Sequence, residues 1–96
     1  MERYFEWDDR KAEINYRKHG ILFEEAILVF DDPLAVVEQD RIEDGERRWQ
    51  AVGMAGNCLL LLVAHTVRLE EEGIEIIRVI SARRADRKER RRYEHG

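Results

Sequence analysis

Seven consecutive apolar residues, Cys58 to Ala64, constrain this 96-residue chain more than any other feature of its sequence. A run of that length is far short of the roughly 20 residues a helix needs to cross a bilayer. With Ala55-Gly56-Asn57 before it and a charged residue at Arg68, the segment Cys58 to Arg68 reads as a strand apolar on both faces over its first seven residues. Such a strand belongs at the centre of a sheet, covered on both sides. The rest of the chain must provide that cover.

Before the run, the pattern is helical. Arg3 to Trp7 alternates loosely and reads as a short first strand. Asp8-Asp9 marks a helix start, since a carboxylate there accepts free backbone N–H groups and meets the positive end of the helix dipole. Ala12, Tyr16 and His19 recur at spacings of four and three, and Gly20 is the expected stop. A second helix places Phe23, Ala26, Ile27 and Phe30 on one stripe and ends at Asp31-Asp32-Pro33. From Leu34 the period changes. Leu34 to Glu38 reads as a strand, Asp40 to Gly45 as a polar turn, Arg47 to Met54 as a strand and Ala55-Gly56-Asn57 as a hairpin connection. Glu70-Glu71-Glu72-Gly73 is the next turn, Ile74 to Ala82 the last strand, and Arg84 to Glu94 a helix-compatible tail with only Ala85 and Tyr93 apolar. The expectation is a single α+β domain over residues 1–96: an antiparallel sheet of four to five strands, two N-terminal helices and one C-terminal helix.

Charge is distributed unevenly. The net charge is −4, which excludes a uniformly basic surface. Residues 1–46 carry 6 basic and 14 acidic groups, whereas residues 78–96 carry 8 and 3, so an acidic front half meets a C-terminal segment of +5. The opening Met1-Glu2-Arg3-Tyr4 lacks the basic-then-apolar pattern of a signal peptide, and the one cysteine, Cys58, suits a reducing compartment; a cytoplasmic domain with no membrane contact is expected.

The chemistry is limited by what is present. His19, His65, His95 and Cys58 lack metal-ligand spacing, so no metal or cofactor is expected. Ser81 has no nucleophile context, Cys58 reads as an inert buried thiol, and no glycine loop sits between a strand and a helix. What remains is a dense set of cations: Arg78, Arg83, Arg84, Arg87, Lys88, Arg90, Arg91 and Arg92. Guanidinium groups hold phosphate oxygens in pairs and stabilise negative charge building at phosphorus. They serve equally as a solvated face or a docking surface for an acidic partner. Arg78 is the most informative, because a cation inside an apolar strand must either pair, with Glu6 or Glu38, or line a solvated cleft. Strict alternation puts Arg78 and Arg83 on opposite faces unless the strand ends or bulges near Ser81, and it separates His65 from Arg68 in the same way. Lys18-His19 supplies groups for proton exchange or, more simply, a helix cap.

Three blocks of residues then carry a resemblance. The first holds Phe5-Glu6-Trp7-Asp8, Lys11-Ala12, Asn15, Lys18-His19-Gly20, Phe23-Glu24-Glu25-Ala26 and Val29-Phe30-x-Asp32-Pro33. The second is Asp44-Gly45-Glu46-x-Arg48, and the third runs from His65-Thr66 through Ile77-Arg78-x-Ile80-Ser81-Ala82-Arg83-x-Ala85 to Glu89-Arg90 and Tyr93-Glu94. In this order and spacing the chain resembles the BrnT family of type II toxins. The resemblance implies a RelE-like α+β fold and a metal-independent endoribonuclease that arrests growth. It also implies a BrnA-type antitoxin that neutralises the toxin and alone contacts operator DNA. Carried onto matching positions, it implies a site at Lys18, His19, Arg78 and Arg83, with His65, Arg68, Glu89 and Tyr93 behind them. Arg84, Arg87, Arg90, Arg91, Arg92 and Tyr93 would hold RNA or the antitoxin. Two other readings stand beside this: a non-catalytic co-repressor of the antitoxin, and a plain nucleic-acid-binding domain.

Overall fold

A computed structural model describes residues 2–56 and 59–96. Five strands form one sheet in the order β1-β5-β4-β3-β2, where β1 is Arg3–Glu6, β2 Val36–Glu43, β3 Glu46–Ala55, β4 Leu59–Leu69 and β5 Glu75–Arg84. Helices α1 (Asp9–His19), α2 (Phe23–Ala26) and α3 (Arg87–His95) complete the fold, with a 3₁₀ segment at Ile27–Asp31. The apolar run lands at the centre of the sheet. Leu60, Leu61, Leu62 and Val63 are all buried, and they divide between two cores. On one face Leu61 and Val63 pack with Phe23, Ala26, Val29, Val79 and Ala82 beneath the N-terminal helices. On the other, Leu60 and Leu62 join Val52, with Met54, Ala85 and Tyr93 against them, beneath α3. The expected start of this strand at Cys58, and that residue's inert thiol, lie outside the described residues, as does Asn57 of the hairpin connection.

The architecture departs from the sequence reading in pairing and in packing, besides shifts at element ends. The sheet is mixed rather than wholly antiparallel, because β1 pairs with β5 in parallel, from Arg3 opposite Glu75 to Glu6 opposite Arg78. The first and last strands are joined through the whole chain, so no short connection forces them antiparallel. The second helix turns 3₁₀ after Ala26, and Val29 joins Phe23 and Ala26 as fully buried, while Ile27 and Phe30 pack half-buried against the same core. Three residues per turn bring every third side chain back to one face. On α1 the inward residue is Asn15, and Tyr16 is exposed.

Asp8 caps α1 as expected, accepting from the N–H groups of Arg10 and Lys11, and Gly20 closes it in the left-handed conformation at φ 71°. Asn15 then ties the helix to the sheet. Its Nδ2 donates to the carbonyls of Ile21 (3.1 Å) and Ala82 (2.9 Å), and its Oδ1 accepts from the Ala82 N–H (3.0 Å). Ala82 lies past the end of β1, where β5 would otherwise leave unpaired backbone groups.

Candidate active site

Register determines which side chains meet. β4 opposes β5 with Thr66 across from Arg78, His65 from Val79, Ala64 from Ser81, and Leu62 from Arg83. Ile80 is skipped, so β5 carries a bulge there. One extra residue reverses the alternation of everything after it. Val79 and Ala82 consequently share the helix-side core although three residues apart, and Arg78, Ser81 and Arg83 share the opposite face. The parity obstacle between Arg78 and Arg83 is thereby removed. Arg68 joins them, since it stands two residues after Thr66 on an unbulged strand.

His65 does not join them. It is 2% exposed on the helix-side face, with its ring edge-on to Phe30 at 4.8 Å and its Nδ1 3.3 Å from the Val63 carbonyl. Burial holds its pKa below the usual histidine value. His65 and Arg68 sit an odd number of residues apart on a regular strand, and this excludes the histidine from the arginine face. It is a core residue.

Each arginine on this face has a carboxylate partner. Arg78 Nη1 donates to Glu6 at 2.9 Å, and Arg68 donates to the same carboxylate through Nη1 (3.3 Å) and Nη2 (3.1 Å) and to Glu70 through Nε (3.0 Å). Those bonds from Arg68, and then from Arg78, hold the Glu6 carboxyl below the usual range. Arg83 grips Glu89 with both terminal nitrogens, at 2.8 and 2.9 Å. Glu89 is also the third residue of α3 and accepts from the Asp86 N–H, while Asp86 accepts from the Glu89 N–H, which is a reciprocal capping box. Arg48 bonds Glu43 at 2.9 Å, and its buried Nε has no partner among the described residues.

Lys18 and His19 occupy the last turn of α1, which packs against the helix-side core through Ala12. Among the described residues neither makes a hydrogen bond or ion pair with the arginines. The Asn15 bridge to Ala82 nevertheless places their helix beside the residue next to Arg83. The C-terminal set divides as well. Arg92 pairs with Glu38, and the Tyr93 hydroxyl donates to Asp32 at 2.7 Å, so these two dock α3 onto the sheet. Asp32 Oδ2 also accepts the Met54 N–H at 2.8 Å. Arg84, Arg87, Arg90 and Arg91 are exposed and have no carboxylate partner among the described residues. Two shallow cavities of about 300 and 580 Å³ lie elsewhere, the first beside Asp32 and Met54, the second between Pro33–Val36 and the end of α3.

The sequence reading missed the roles of Asn15 and Glu89. A signal for Glu89 was available, since Asp-x-x-Glu at a helix start is the capping-box pattern. The arrangement as a whole presents carboxylate-held guanidinium groups on the sheet face that α3 partly covers, next to the free cations of that helix. It can bind phosphate oxygens and stabilise charge on them.

The profile of the family described as "Ribonuclease toxin, BrnT, of type II toxin-antitoxin system" matches residues 7–89. The chain belongs to the BrnT family. In structure, this BrnT-family chain is similar to the ribonuclease toxin BrnT of Brucella abortus, a crystal structure at 1.1 Å resolution. The two superpose with a TM-score of 0.61 over 91% of this chain and 100% of that one, at 24% identity, which establishes a common fold. A comparison with curated proteins finds no match. Of the residues carried over from the BrnT resemblance, Arg68 and Arg78 meet at Glu6, Arg83 pairs with Glu89 further along the same face, Lys18 and His19 lie in the last turn of α1, and His65 lies in the core.

Proposed function

We propose that the chain is a metal-independent endoribonuclease that arrests growth in the cytoplasm and is neutralised by a BrnA-type antitoxin, through which alone it meets operator DNA. The family match over residues 7–89 carries this reading. The bulge at Ile80, which sets Arg78 and Arg83 on one face, supports it.

In the reaction, the 2′-oxygen of an RNA ribose attacks the adjacent phosphorus and the bond from phosphorus to the 5′-oxygen breaks. Arg78 and Arg83 stabilise the charge that builds on the non-bridging oxygens. His19 and Lys18, in the last turn of the helix that Asn15 ties to Ala82, take the 2′-hydroxyl proton and return one to the departing 5′-oxygen. Arg84, Arg87, Arg90 and Arg91 hold the RNA backbone or the antitoxin. Arg92 and Tyr93 act indirectly, by keeping α3 docked.

Arg78→Ala is the better first test, because removing Arg83 would strand the buried Glu89 carboxylate. The purified wild-type chain is expected to cut RNA with EDTA present, and Arg78→Ala to lose cutting by about a hundredfold while still folding. Intact RNA with the wild-type chain, together with normal growth on its induction, would sink the enzymatic reading. The carboxylate partners of Arg68, Arg78 and Arg83 favour a second reading, a non-catalytic co-repressor. In that case, changes at Arg90 and Arg91 would weaken the antitoxin complex and leave growth unaffected.

A further inference from the structure

Glu6 stands where two guanidinium groups converge, and the way it is bonded separates their roles. Arg68 has a carboxylate on each of its three nitrogens: Glu70 on Nε and Glu6 on both terminal nitrogens. Arg78 gives Glu6 a single N–H, from Nη1, and its Nε and Nη2 have no partner among the described residues. The Arg78 side chain is 38% exposed, so it is accessible from solvent with donors to spare. An ion pair this exposed adds little to stability, because water screens it. It does fix direction, since a planar guanidinium held at one corner presents its other edge at a set angle.

The parallel register reinforces that geometry. Glu6 is the last residue of β1 and lies directly across from Arg78 on β5, so backbone pairing delivers the carboxylate to the arginine. From β4, Arg68 holds the other side of the same carboxylate. Other charge nearby comes from Glu70, behind Arg68, and from Asp8, which lies close enough to Arg78 to feel its charge.

We infer that Glu6 is a positioning residue, which aims the free edge of Arg78 at a substrate phosphate, and that Arg68 acts through Glu6 rather than on RNA. This rests on the reading of the arginine face as the ribonuclease site, and it moves Arg68 out of the set that contacts RNA. Loss of aim of about an ångström at a reacting centre costs on the order of a hundredfold in rate.

The test is a double-mutant cycle in the full chain, with single-turnover RNA cleavage and RNA affinity measured alongside thermal melting. Glu6→Gln is expected to slow cleavage about 10- to 100-fold, with RNA affinity changed far less. Arg68→Gln is expected to slow it as well, and the double variant to be no slower than Glu6→Gln alone, because both changes remove one function. Should Glu6→Gln fail to fold, Glu6→Asp, which keeps the charge but is too short to span both arginines, takes its place in the cycle with the same expectation. Wild-type or faster cleavage by the folded Glu6 variant would overturn the inference, as would losses that multiply in the double variant. Arg78→Ala separates this from failure of the parent reading. If that variant cleaves at the wild-type rate, the ribonuclease site is elsewhere; if it is inactive while Glu6→Gln is not, only the positioning role fails.

Discussion

At the scale of single residues, two buried polar groups govern stability. Asn15 is 5% exposed and makes three hydrogen bonds that join α1, Ile21 and the free edge of β5. Asn15→Ala leaves those backbone groups buried and unpaired, and is expected to cost about 2–3 kcal/mol. For a domain of this size that lowers the melting temperature by roughly 10 °C or more, readable by thermal denaturation. His65 governs the response to acid. Its folded pKa lies below the unfolded value near 6.5, so on acidification the unfolded chain takes up a proton that the folded chain does not. Stability is therefore expected to fall as pH drops below about 6.5. Urea denaturation at pH 7.5 and 5.5 should show a smaller loss for His65→Gln than for wild type; equal losses would assign the acid sensitivity to other groups. Much of the site could be read at this scale. Arg78 stood out as a cation in an apolar strand, and Glu6 was one of two partners its pairing required. That Arg78 and Arg83 share a face could not be read, because Ile80 is an apolar β-branched residue like its neighbours and nothing in its side chain marks a bulge.

At the scale of elements, the central strand was legible because an unbroken apolar run satisfies only one kind of position. The edge strand β2 was not. Asp40 to Gly45 is almost entirely polar and reads as turn, yet β2 continues as far as Glu43. Charge on an outer strand discourages pairing with other chains, so polarity there is compatible with sheet. The turn itself is the dipeptide Asp44-Gly45, with φ of 53° and 76°, a common two-residue hairpin connection. The approach of the 3₁₀ segment to β3 provides the element-scale prediction. A Cβ at Gly53 would stand 2.9 Å from Val29 Cγ1 and 3.0 Å from the Ala35 Cβ. Gly53→Ala is expected to push these elements apart at a cost of about 1–3 kcal/mol, measured as a lowered urea midpoint. An unchanged midpoint would mean that the 3₁₀ segment yields freely.

At the scale of the whole molecule, the division of charge acquires a structural form. The paired arginines of the sheet face contribute little net charge, and the free positive charge sits along Arg84, Arg87, Lys88, Arg90 and Arg91. If these five hold single-stranded RNA, log affinity should fall with log salt at a slope of roughly −3 to −4, and each replacement by Gln should reduce that slope by about 0.7. A slope near zero would remove α3 from the RNA interface. The parallel pairing of β1 with β5 has a different kind of consequence, one of timing. Arg3 and Glu75 are 72 positions apart, so a growing chain holds Glu6 long before it makes Arg78. At about 5–20 residues per second, several seconds pass before the carboxylate and its arginine exist together. A prematurely terminated product lacking the last strand would carry Glu6 with nothing to aim. Activity of the kind proposed is thus reserved for chains translated past β5.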